Sequence, residues 1–298
     1  MSDARPPTQV ALEPVRFTAT SGALARFAGL FGLGQVASAG GGGGLPFAVA
    51  AFPMLFFSAL KWRRVLPRRM ALEELAAVFH GAFTTGDAPE LTALVYPSLG
   101  GPGHMEMEFD LRHRDSKASV CSGSGVLGLA PAGLDGRELG FDSDAPLPIV
   151  RLTDRELPVP AWRYDQIERG QTAAFDFTPS LDALRLLHAV VLAGEPSHKP
   201  GWHEWIETLN PRPLLLAPVF ASAAALVMPP RGVARARFEV EFKDPTPLGS
   251  ACRIMSAVAS KSDAPRALAT QLTVTDTDLK CTFATASVHA RVAEGAGA

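Results

Sequence analysis

Apolar residues fall along this chain in two distinct patterns. In the first they alternate with polar ones: Met107–Leu127 reads MEFDLRHRDSKASVCSGSGVL and Thr270–Ala290 reads TQLTVTDTDLKCTFATASVHA. Each is a pair of alternating runs around a polar turn, Arg114-Asp115-Ser116 in one and Asp276-Thr277-Asp278 in the other, and each predicts a β-hairpin. Ala236–Phe242 (ARFEVEF) and Ala251–Ser260 predict two further strands, with a turn over Asp244–Gly249 between them. In the second pattern apolar residues run on every side: Ala51–Trp62 reads AFPMLFFSALKW and Leu216–Met228 reads LAPVFASAAALVM. A helix that is apolar all round is one that other structure wraps.

The two patterns recur in the same order. The separation of Lys117 from Lys280 in the matching hairpins nearly equals that of Pro53 from Pro218 in the matching apolar runs. A repeated offset over different kinds of element argues for an internal duplication rather than chance. Each half then reads as a buried helix followed by several long antiparallel strands. Residues 1–130 form one repeat, 131–161 a Gly-, Pro- and Asp-rich connector, and 162–298 the second repeat.

In 298 residues there is room for one large or two ordinary domains, and 47% hydrophobic side chains exclude a disordered chain. A net charge of −2 excludes a generally basic nucleic-acid binder. Cys121, Cys252 and Cys281 are scattered, with no CxxC or Cys/His cluster, so neither a disulfide framework nor a metal site is expected, and a reduced, cytoplasmic protein is. The start, MSDARPPTQVALEP, lacks the apolar core of a signal peptide. The long stretch Phe27–Leu60 holds no charge, but Gly40–Gly44 interrupt it. What remains, Leu45–Leu60, is shorter than the roughly 20 apolar residues that a membrane span needs. It reads as a buried helix.

A sheet wrapped round one apolar helix, present twice, resembles the double hotdog fold, an α+β architecture. Among its members the chain is most similar to MaoC-like acyl dehydratases and (R)-specific enoyl-thioester hydratases. The second half carries the resemblance: Tyr164–Gln171 as a lead-in strand and turn, then Phe177-Thr178-Pro179-Ser180 before a helix over Leu181–Ala193. Ser180 would cap that helix and Gly194 would close it. Pro213–Met228 resembles the central hotdog helix, and Phe238–Pro245 the following strand and its turn. In the first half Ala51-Phe52-Pro53 opens a helix, and Val78-Phe79-His80 matches a Val-His pair that starts a strand in such proteins.

The resemblance implies hydration or dehydration at Cα–Cβ of an acyl thioester, with no cofactor and no metal. That chemistry needs an acid/base pair and a donor to the thioester carbonyl. The family motif is Gly-Asp-x-Asn-Pro-x-His, and Gly194-Glu195-Pro196-Ser197-His198 stands in its place. Glu195 and His198 are therefore the implied catalytic pair. They are three residues apart where the motif has five, and its Asn-Pro is absent. Gly194, Trp202, His203, Pro218, Phe220 and, from the first half, Phe56 are the implied substrate contacts. The implied partner is an acyl-CoA or an acyl carrier protein thioester, and the protein is a candidate homodimer. Lys61, Arg63, Arg64, Arg68 and Arg69 could meet coenzyme A phosphates or a carrier protein, or form a solvated loop. Two other readings stay open: an inactive hotdog that binds an acyl or polyketide-like ligand or a partner subunit, and a hotdog thioesterase.

Overall fold

Alternating sequences dominate the architecture. The computed structural model describes residues 9–16, 70–81, 88–98, 103–129, 163–180, 182–183, 215–216, 218–220, 222–223, 233–244, 249–277 and 281–293. They contain ten strands: β1 (Val10–Arg16), β2 (Met70–Phe79), β3 (Pro89–Pro97), β4 (Met105–His113), β5 (Ser119–Leu129), β6 (Thr172–Phe177), β7 (Val233–Phe242), β8 (Cys252–Asp263), β9 (Arg266–Asp276) and β10 (Thr282–Val292). All pair antiparallel into one sheet, in the order β1-β3-β4-β5-β2-β7-β10-β9-β8-β6. Side chains alternate between a buried face and a solvated one, as in β3 with Leu91, Ala93 and Val95 turned inward.

The sheet repeats itself. Reading inward from either edge gives first, third, fourth, fifth and second strand of a five-strand set. One offset relates the two sets: the step from Met70 to Val233 is also the step from Pro89 to Cys252 and from Ser119 to Thr282. Cross-strand partners keep it, since Phe109 faces Gly123 in the first half and Leu272 faces Ala286 in the second. Even an irregularity is shared. Val120 is skipped between the β4 and β5 partners, and Phe283 between those of β9 and β10, so each is the extra residue of a β-bulge. Both are buried, and their carbonyls accept the amides of His80 at 2.9 Å and Lys243 at 2.8 Å, a pair related by the same offset.

The two sets meet at β2 and β7, in register from Glu74 opposite Glu241 to Phe79 opposite Ala236. On the buried side of this seam Phe79 and Phe238 pack edge to face at 5.4 Å between ring centroids. The described residues of Pro213–Met228 are helical and buried, and they cover the seam with Phe220, stacked on Phe238 at 4.6 Å.

Three sequence expectations meet the structure directly. Ser180 does cap a helical start: its Oγ accepts the Ala183 amide at 3.1 Å. Tyr164–Gln171 is not a strand. Tyr164–Gln166 form a 3-10 turn, Gly170 has φ of 84°, and β6 begins only at Thr172. Burial explains the turn. The Tyr164 ring lies in a cluster with Ile167, Val258, Leu268, Ala290 and Val292, and its hydroxyl donates to the Ser262 carbonyl. Val78-Phe79-His80 closes β2 instead of starting a strand.

Gly123 is demanded by packing. A Cβ there would lie 2.1 Å from the Ala76 carbonyl oxygen and 2.6 Å from Phe109 Cζ, since the Phe109 ring covers the glycine across the strand pair. Gly123→Ala is expected to cost about 3 kcal/mol in chemical denaturation, the upper range for overpacking. Gly81→Ala is the control: its Cβ would meet nothing nearer than 3.7 Å, and its effect should stay within roughly 0.5 kcal/mol.

Candidate functional site

Of the residues that the sequence nominated, Pro218 and Phe220 lie within the described structure; Phe56, Gly194, Glu195, His198, Trp202 and His203 lie outside the described residues. Both described ones are helical and buried. Phe220 touches Phe238 of β7 and, at 6.3 Å, Phe79 of β2, so one side chain of the helical segment spans both halves of the sheet. These rings are fully buried against one another and supply no acid or base.

Other groups with chemical potential are disposed elsewhere. His80 Nε2 lies 2.9 Å from Ser122 Oγ at the exposed end of β2, and His104 Nε2 lies 3.3 Å from Glu73 Oε2 on the surface. His289 is exposed in β10, opposite Arg237. Burial pushes the Cys121 thiol well up, and with the Asp276 charge beside it raises Cys252 to about 12. Both shifts disfavour the thiolate that a cysteine nucleophile needs. Among the described residues no three His, Cys, Asp or Glu side chains converge to hold a metal ion. None of the described helical segments is long and apolar enough to cross a membrane.

The solvated face of the seam carries a feature that the sequence reading missed. A groove of about 490 Å³ is lined by Glu74, Glu106, Glu239 and Glu241 together with Tyr96 and Ser287. Ser98 Oγ donates to Glu106 at 2.8 Å, Ser287 Oγ to Glu239 at 3.2 Å, and the Tyr96 hydroxyl to neighbouring Glu108 at 3.2 Å. Arg237 pairs with Glu239, and Lys243 Nζ lies 3.5 Å from Glu241. The signal was present in the outward positions of ARFEVEF and MEMEF, where glutamates alternate with core residues. An open, acidic groove suits cations in water and repels an acyl chain.

No protein-family model matches the chain. No curated protein matches it in sequence. Solved structures do resemble it. A MaoC-like dehydratase aligns with 98% of this chain and 99% of its own, at a TM-score of 0.62 and 13% identity. A double hotdog protein of Mycobacterium tuberculosis aligns with 98% of this chain and 97% of its own, at a TM-score of 0.55 and 15% identity. The chain has a hotdog fold. A MaoC domain protein dehydratase of Chloroflexus aurantiacus shares this hotdog architecture over 97% of this chain and 96% of its own, with a TM-score of 0.59 and 14% identity. At such identities the likeness concerns the hotdog architecture, and the chemistry has to be argued from the residues.

Proposed function

We propose that this chain is a double hotdog dehydratase or hydratase acting on a β-hydroxyacyl or enoyl thioester of coenzyme A or an acyl carrier protein. The observation that carries the reading is the twice-repeated five-strand order, matched along nearly the whole chain by a MaoC-like dehydratase. In this reading residues 1–130 and 162–298 are the two hotdog repeats, each wrapped round an apolar helix, and 131–161 connect them. The first repeat, with Phe56, holds the acyl chain. The second supplies chemistry from the Gly194–His198 loop, and the protein works in the cytoplasm.

Dehydration removes the α-proton and expels the β-hydroxyl as water, leaving a carbon–carbon double bond; hydration is the reverse. Glu195 and His198 share the two proton transfers, one as base at Cα and one as acid at the departing oxygen. Backbone N–H groups at the start of Pro213–Met228 receive the charge that builds on the thioester carbonyl. Gly194, Trp202, His203, Pro218 and Phe220 shape the pocket.

A direct assay decides the matter. With a β-hydroxyacyl-CoA the protein should produce the conjugated enoyl thioester, followed by its ultraviolet absorbance, with no free thiol released. Release of thiol would instead make it a thioesterase. The shortened spacing of Glu195 and His198 favours a second reading, a hotdog that binds such ligands without converting them. Calorimetric binding with no turnover of either thioester would establish that one.

A further inference from the structure

The outward positions of the central strands carry charge in a definite order. Along β7 they read Arg235, Arg237, Glu239 and Glu241, cations at one end and carboxylates at the other, with the buried Phe238 at the change of sign. Both neighbouring strands continue the division. In β10, His289 and Arg291 stand opposite Arg237 and Arg235, whereas uncharged Ser287 and Thr285 stand opposite Glu239 and Glu241. In β2, Glu74 stands opposite Glu241, and His80 follows the strand at its other end. All of these charged groups are exposed or partly so.

This order disfavours the isolated chain. Arg235 faces Arg291 across the β7–β10 pair and Glu74 faces Glu241 across the seam, and like charges directly opposite repel. Arg237 has Glu239 and Lys243 has Glu241, but Glu74, Arg235 and Arg291 have no ion-pair partner among the described residues. The duplication does not account for it either. The offset that relates the two strand sets carries Glu74 to Arg237, a carboxylate to a cation at matched outward positions.

The face is its own complement. Ala77, Phe238 and Val288 are cross-strand partners and form a row across β2, β7 and β10. A half turn about an axis lying over this row lays a second copy against the first, sheet to sheet, with strands antiparallel. Glu239 then comes over Arg237, Glu241 over Arg235, Glu74 over His80, and Thr285 over Arg291. On these three strands no like charges meet. The Arg237–Glu239 pairs of the two copies combine into one alternating network at the axis. The flanking strands β5 and β9 add the uncharged Ser122, Ser124, Ala269 and Gln271. Five strands about 4.8 Å apart, each at least ten residues long, span roughly 800 Å², the area that one partner gives to a standard interface.

We propose that the solvated face around the seam docks a second copy of this chain, back to back, through ion pairs of Glu239 with Arg237, Glu241 with Arg235 and Glu74 with His80. The inference does not depend on the acyl-thioester reading.

Analytical ultracentrifugation of the full chain tests it. The native protein should be dimeric at about 50 mM salt, with a dissociation constant about tenfold higher at about 500 mM, where charges are screened within roughly 4 Å. Arg235→Glu/Arg237→Glu and Glu239→Arg/Glu241→Arg should each weaken association by about a hundredfold, since like charges then meet. Mixed in equal amounts, the two variants should regain a one-to-one dimer of about native affinity, because one presents only carboxylates along β7 and the other only cations. Circular dichroism checks that each variant is folded. If either is not, the neutralising pair Arg235→Gln/Glu241→Gln probes the same contacts, with an expected loss of about tenfold. A monomeric native protein, a dimer that both reversals leave intact, reversed variants that stay apart when mixed, or undiminished affinity in the neutralised pair overturns the inference.

Discussion

Replacing Phe238 by alanine is expected to destabilise the protein by about 4 kcal/mol, the middle of the range for truncating a buried phenylalanine. Phe238 is fully buried in β7, the strand that joins the two halves of the sheet. Its ring stacks on Phe220 with an interplanar angle of 23° and meets Phe79 edge on at 80°. Truncation therefore removes two aromatic contacts as well as buried area, and each such contact adds roughly 0.5–1.5 kcal/mol beyond burial. The strands on either side are fixed by β2–β7 and β7–β10 pairing, so the walls of the resulting cavity have little freedom to collapse. Against a total stability of about 5–15 kcal/mol for an ordinary domain, this is a large fraction. Equilibrium denaturation should show a lower midpoint with the slope retained. Phe238→Leu, which keeps most of the volume, should cost no more than roughly 1.5 kcal/mol. Equal, small effects of both changes would mean that the seam contributes little to the core.

His198→Ala is expected to lower kcat for the enoyl or β-hydroxyacyl thioester by a factor on the order of 100 to 10,000, the usual contribution of a positioned acid or base. In the proposed reading other groups hold the substrate, so KM should move far less than kcat. The pH profile is the more telling readout. A carboxyl and an imidazole working as a pair give the native enzyme a bell-shaped dependence of kcat/KM. The variant should lose the limb that reports the imidazole. Glu195→Gln should remove the other limb. Unchanged kinetics would take His198 out of the mechanism and leave the binding-only reading in force.

The repeat was legible because β-structure imposes a strict grammar. A strand buried on one face must alternate, and a one-residue slip would turn its core residues to solvent. The MEFDL and TQLTV runs therefore kept their spacing, and the step from Lys117 to Lys280 is the offset of the strand register itself. Strand β2 was harder. Its sequence, MALEELAAVF, is built from the strongest helix formers, so only its end, at Val78-Phe79, had strand character. Pairing on both sides, with β5 and β7, overrides that preference. The edge strands β1 and β6 are short, at 7 and 6 residues, and gave too few alternations to stand out. Of the nominated site residues, the burial of Phe220 and Pro218 was readable, since they sit in a run whose character alone implies it. The polar candidates, Glu195 and His198, rest on a short motif with no hydrophobic periodicity from which a geometry could be inferred.

The antiparallel seam between β2 and β7 is the contact that two separate copies of a five-stranded molecule would make about a two-fold axis. Here a single polypeptide contributes both sides. Their encounter is therefore governed by the tether between them and not by how much protein the solution contains. A sheet of this kind closes as readily when the protein is scarce as when it is abundant. The tether also frees the two sides from being identical: a change on one is no longer copied onto the other, as it must be in a dimer of like chains. Matched positions can then take up separate tasks, the difference between Glu74 and Arg237 being one that no symmetric pair could hold.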